Sequence, residues 1–147
     1  MRPLLRTGSL AGRPVAIRDV RLGVAVDALL DRPLARLVGL EVRCSDEAHR
    51  FLPFPACQVL PDRVAVESEL VLLDRELDFY RGGGRALSDL RGQRVVAAGE
   101  ELGTLADLLV DGEGEVVRIL VATPHGEIEV EAGADVTIGN HALRRAV

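Results

Sequence analysis

Sliding the sequence along itself by eighty positions, without a gap, sets Leu10, Gly12, Val15, Leu22, Gly23, Asp27, Leu29, Asp31 and Leu40 on Leu90, Gly92, Val95, Leu102, Gly103, Asp107, Leu109, Asp111 and Leu120. Nine identities in thirty-one aligned positions include two glycines and two aspartates, residue types that mark backbone geometry. A fixed internal period is the signature of a supersecondary unit used more than once. With 147 residues in all, each unit holds only about 60, a size at which a lone domain buries too little surface to be comfortably stable. The two units are therefore expected to lean on each other.

Each unit reads as strands separated by turns. In the first, residues 13–17 form a short strand, 18–21 a turn and 22–30 a longer strand with Gly23 at a bulge or close approach. Asp31, Arg32 and Pro33 then turn the chain so that 35–44 returns as a hairpin partner. The second unit repeats this with 94–97, 102–110, a turn at 111–114 carrying the hairpin dipeptide Asp111-Gly112, and 115–123. Later strands at 50–55 and 63–67 match 127–131 and 141–145. Strict alternation over 127–131 predicts one wet and one buried face. Aromatic residues are 3% of the chain and Trp is absent, so Val, Leu, Ile and Ala must fill the interior.

The units join through residues 68–86. Leu70, Leu73, Leu77 and Tyr80 lie at helical spacing, which predicts a helix of about three turns over 69–81. Gly82, Gly83 and Gly84 end it as a hinge. The helix is read as a structural strap; a partner-binding helix is the alternative. The expected domains are thus 1–67, a linker at 68–86, and 87–147.

The segments Leu10-Ala-Gly-Arg-Pro-Val15, Leu22-Gly23, Asp27-Ala-Leu-Leu-Asp31 and Phe51-Leu-Pro-Phe54 resemble the PRC-barrel family, named for the photosynthetic reaction centre. The second unit resembles it through Leu90-Arg-Gly-Gln-Arg-Val95, Leu102-Gly103 and Asp107-Leu-Leu-Val-Asp111. The resemblance implies an all-β fold of two tandem small barrels joined by the helical linker. It also implies an interaction module, since the family spans the reaction-centre H subunit, a ribosome maturation factor and many stand-alone prokaryotic proteins. The sequence shows neither the membrane helix of the first nor the separate N-terminal domain of the second, so neither specific role is expected to transfer.

No set of residues reads as a reactive centre. Paired aspartates can ligate cations or act as acid and base, yet Asp31 and Asp111 open turns, where a carboxylate accepts backbone N–H bonds. Asp27 and Asp107 fall late in a strand and are read as facing solvent or capping a neighbouring loop. His49, His125 and His141 share no ligand spacing, and His49 and His125 are read as exposed loop residues. Ser45 and His49 have no oxyanion donors nearby. Cys44 and Cys57 form no CxxC pair and read as reduced thiols. Residues 81–85 carry neither the Lys-Ser/Thr ending nor the preceding strand of a phosphate loop. Catalytic, cofactor and metal sites are all expected to be absent, and the chain is read as no enzyme.

A net charge of −5 argues against general binding to nucleic acid or anionic membranes. The balance is uneven: residues 1–67 hold ten Arg against eight acids, and residues 87–147 five Arg against eleven acids. No apolar run reaches membrane-spanning length, and a cytoplasmic protein is expected. The reading is a non-enzymatic scaffold with a protein partner, able to form a homodimer; an RNA- or ribosome-associated assembly factor is the alternative.

Overall fold

A computed structural model of the chain describes residues 4–31, 34, 36–81, 85–133 and 135–143. The strands, in chain order, are β1 (Leu5–Arg6), β2 (Pro14–Ile17), β3 (Val20–Leu30), β4 (Leu37–Cys44), β5 (His49–Pro53), β6 (Gln58–Val59), β7 (Val64–Ala65), β8 (Arg94–Ala97), β9 (Glu100–Val110), β10 (Val116–Thr123), β11 (Gly126–Glu131), β12 (Val136–Ile138) and β13 (His141–Leu143). Two short α-helices, α1 (Glu76–Arg81) and α2 (Leu87–Leu90), lie between the halves. The fold is mostly β, in two sheets: β5-β4-β3-β2-β7-β6, and β11-β10-β9-β8-β12-β13 with β1 added beside β9.

The repetition in the sequence reappears as repeated irregularity. Between β2 and β3 the register shifts at Leu22, and between β8 and β9 it shifts at Leu102. The next shift falls at Val26 in β3 and at Ala106 in β9. Gly23 and Gly103 each sit where a Cβ would collide with a backbone carbonyl of the next strand, that of Arg43 or Ala122. Bulges bend and twist a strand locally, so shared bulges give the two long strands the same curvature. The third shift, at Val38 and Val117, is seventy-nine residues apart, because the turn after β9 is one residue shorter than the turn after β3. The residue matching Leu40 is consequently Ile119, and Leu120 stands where the first unit has Glu41. The Leu40/Leu120 identity in the ungapped alignment is thus a coincidence of composition.

The correspondence ends after the hairpins. β7 pairs with β2 in parallel, whereas β12 pairs with β8 antiparallel and β13 lies beyond it. Residues 63–67 and 141–145 are therefore not equivalent strands, and Arg144 and Arg145 lie outside the described residues. The predicted strand end at Ala35 and the turn residues Arg32 and Pro33 lie outside them too, as does the glycine hinge at 82–84.

One cluster of buried side chains draws on both halves, with Leu10, Val15, Leu40 and Leu52 alongside Leu90, Val95, Leu108 and Ile119. The halves are joined by exchanged leaders. The segment preceding the first unit pairs with the second, Leu5 opposite Val110 and Arg6 opposite Leu109. The segment preceding the second pairs with the first through the bridge of Ala86 to Leu29. Where the hairpin tips meet, the matching residues Arg36 and Glu115 form a bridge with each other, as a local twofold axis requires.

Aspartates lock both leaders. Neither Arg6, at the start of the 3₁₀ turn Thr7–Leu10, nor Ala86, at the start of α2, caps its own helix with a side chain. Asp107 accepts instead from the Gly8 N–H at 2.9 Å and the Thr7 hydroxyl at 2.7 Å, with its own unit's Leu108 N–H at 2.8 Å. Arg6 Nε at 2.9 Å and Arg91 Nη2 at 3.3 Å add charge. Asp27 mirrors this by accepting from the Ser88 N–H and hydroxyl and from the Ala28 N–H. Both residues cap across the interface. The solvent-facing alternative fails most clearly for Asp107, which is 1% exposed.

Burial alone would raise the Asp107 pKa, but the hydrogen bonds from Thr7, Leu108, Gly8 and Arg6 together hold it below the ordinary carboxylate range. A depressed folded-state pKa adds stability that is present above the unfolded value of about 3.9 and lost as pH falls through the folded one. Asp107→Ala should cost about 3–5 kcal/mol, since it strands buried donors, and Asp27→Ala about 1–2 kcal/mol, as for a lost cap. Denaturant melts at pH 7 and at successively lower pH check both figures. The gap between wild type and Asp107→Ala should narrow on acidification.

Candidate interaction surface

The linker departs from the single helix its spacing predicts. A 3₁₀ turn covers Glu69–Val71, helix resumes only over Glu76–Arg81, and between them Leu73 is extended against β5. Leu70, expected on the buried stripe, is 82% exposed. Pairing to a sheet edge has overridden helical periodicity: Phe51 N–H donates to Leu73 O at 2.8 Å, and Leu73 N–H returns a bond to Phe51 O at 2.8 Å. Behind this pair, Leu29, Phe51, Leu77 and Ala86 form a second apolar cluster, on which the Tyr80 ring stacks over Phe51 at 4.6 Å between centroids.

Glu41 is buried under this strap at 3% exposure. Its Oε2 lies 2.6 Å from His49 Nδ1 and 3.1 Å from Arg81 Nη1. His49 is therefore a strand residue paired to a buried carboxylate, not a loop residue, whereas His125 does lie in the exposed turn between β10 and β11. Asp31 and Asp111 open their turns as expected, Asp31 accepting from the Arg36 N–H at 2.9 Å and Asp111 from the Glu113 N–H at 2.9 Å. Ser45 Oγ donates to the Leu22 carbonyl at 3.0 Å.

Cys44 and Cys57 are free thiols. Burial pushes the Cys57 thiol up to about 12, so it stays protonated and unreactive near neutrality. Cys57 borders an open, mainly apolar cleft of about 680 Å³ lined by Leu4, Leu5, Phe54 and Val59 together with the Asp111–Glu113 turn of the second unit. Among the described residues no group of three or more His, Cys, Asp or Glu is placed to hold a metal ion, and no helix is long and apolar enough to cross a membrane.

The outer surface of the second unit has a different character. β11 is the terminal strand of its sheet, with Glu127, Glu129 and Glu131 exposed. The buried face predicted from its alternation is only partly buried: Val130 packs against the main core, whereas Ile128 is 42% exposed. Period-two patterning fixes which residues share a face, but how fully that face is covered depends on tertiary packing, which reaches Val130 and leaves Ile128 partly exposed. Sequence reading missed this edge because its signal lies in the pairing order, not in a residue motif.

The swap of Glu41 for Leu120 yields a test. Glu41→Leu should leave stability within about 1 kcal/mol of wild type, because Leu replaces the one buried member of the cluster and the His49 and Arg81 left behind are about half-exposed and can be hydrated. Leu120→Glu should cost about 2 kcal/mol or more, because among the described residues no His or Arg matching His49 and Arg81 awaits it. Thermal melts of the two variants decide. In the folded protein Cys57 should resist a thiol reagent at pH 8 and react once denaturant is added.

No curated protein matches the chain. The model of the PRC-barrel domain family matches residues 82–144, a span that takes in α2 and the strands β8 to β13.

Proposed function

We propose that the chain is a non-catalytic interaction module made of two PRC-barrel-type units, the first a divergent copy of the second, and that it acts as a scaffold for a protein partner. The observation that carries this reading is the internal use of the repeated polar residues. Asp27 and Asp107 close the two leaders, and Asp31 and Asp111 close turns. Each of these groups has its hydrogen-bonding capacity committed to backbone shape. The first unit diverges where its last strands pair differently, which accounts for a family match over the second unit.

The reading favours a protein partner over RNA. Three of the first unit's ten arginines are held within the fold: Arg6 on Asp107 and Glu127, Arg13 on the Ser9 and Leu60 carbonyls, Arg50 on Asp46 and Asp74, and the chain as a whole carries a net charge of −5. A phosphate track needs free cations along one groove. Affinity capture of the full chain from its source cell, with and without ribonuclease, is the test. A stoichiometric protein companion that survives ribonuclease is expected. Recovery of ribosomal material that ribonuclease releases, or tight binding to generic single-stranded RNA that collapses with added salt, would contradict the proposal.

A further inference from the structure

Two sheet edges that hold the same place in their units are treated differently by this chain. β5 is the edge of the first sheet, and the linker closes it by pairing Leu73 with Phe51 through two 2.8 Å backbone bonds. In the second sheet the residue at the Phe51 position is Glu129, which lies opposite Leu120 as Phe51 lies opposite Glu41. The shared register turns the backbone groups of Glu127, Glu129 and Glu131 outward, and no strand among the described residues pairs with them. Ile128 and Val130 point to the other face, where Ile128 is 42% exposed.

We propose that the outer edge of β11 takes up an extended segment of a partner protein by strand addition, and that this segment alternates basic and apolar residues. The proposal rests on the interaction-module reading and gives it a surface. The chain itself supplies the template. Leu73 lies directly opposite Phe51 and matches its apolar side chain across the edge. A residue opposite Glu129 meets a carboxylate that Arg118 reaches at 3.1 Å but that stays 49% exposed, beside Glu127, which Arg6 reaches at 3.4 Å, and beside Glu131; Arg or Lys suits that place best. Its neighbours along the added strand fall on the face of Ile128 and Val130 and have to be apolar. A second copy of this chain is a poor occupant, because β11 against β11 sets glutamates opposite glutamates and like charges directly opposed are destabilising.

Glutamates on an edge can instead serve to blunt it against unwanted pairing, and the test separates the two roles. The full chain is titrated into a labelled synthetic peptide of alternating Arg and Val, and binding is read by fluorescence anisotropy. A second peptide carries N-methyl groups on its arginines, the residues whose N–H groups would bond to β11 as that of Leu73 bonds to Phe51. The plain peptide should bind, the N-methylated one at least about tenfold more weakly. The variant Glu129→Arg/Glu131→Arg should lose the Arg/Val peptide and gain one of alternating Glu and Val. Equal binding of the methylated peptide, absence of binding, or a concentration-dependent dimer that the variant abolishes would overturn the proposal. If the companion captured from cells stays bound to the variant, the edge assignment falls and the module reading stands.

Discussion

Two short leaders, each carrying the chain into one unit, pack on the other. Leu5–Arg6 adds to β9, Ala86 bridges to β3, and in both places a bulged-strand aspartate accepts the first free N–H groups of the helix that follows. Most of the remaining structure depends on this exchange. A unit of about 60 residues has little core to spare, and the exchange lets the two sheets bury Leu10 and Leu90 in a common interior. The cost of sinking Asp107 to 1% exposure is met by five donors, four of them from Arg6, Thr7, Gly8 and Leu108 within 2.9 Å.

Near-symmetry around that exchange throws the departures into relief. Glu41 against Leu120, the parallel β7 against the antiparallel β12, and β5, paired by the linker, against β11, whose outer edge no described strand pairs, all separate the two units. The charge follows the same division. Arg6, Arg13 and Arg50 of the first unit are drawn into carbonyl and carboxylate contacts, while Glu127, Glu129 and Glu131 of the second lie along an edge that no strand among the described residues pairs. The two units present corresponding sheet edges, and the linker occupies one of them.

Much of the architecture could be read from residues. The glycines at 23 and 103 mark a close approach, and the aspartates at 31 and 111 mark turns, because both are local demands on the backbone. The linker was misread for an equally physical reason: helical spacing of Leu70, Leu73 and Leu77 says nothing of a sheet edge that offers Leu73 two backbone bonds. Asp27 and Asp107 were ambiguous because their partners are 61 and 99 residues away. The edge of β11 was invisible for the same reason, since which strand ends a sheet is a property of tertiary pairing and leaves no motif behind.

If the exchanged leaders make the two units one cooperative body, neither sheet can melt while the other persists. Differential scanning calorimetry of the full chain is the direct measure, since the ratio of calorimetric to van't Hoff enthalpy counts cooperative units. A single transition with a ratio of about one is the result this account predicts. Two resolved transitions, or one with a ratio near two, would show independent units and contradict it.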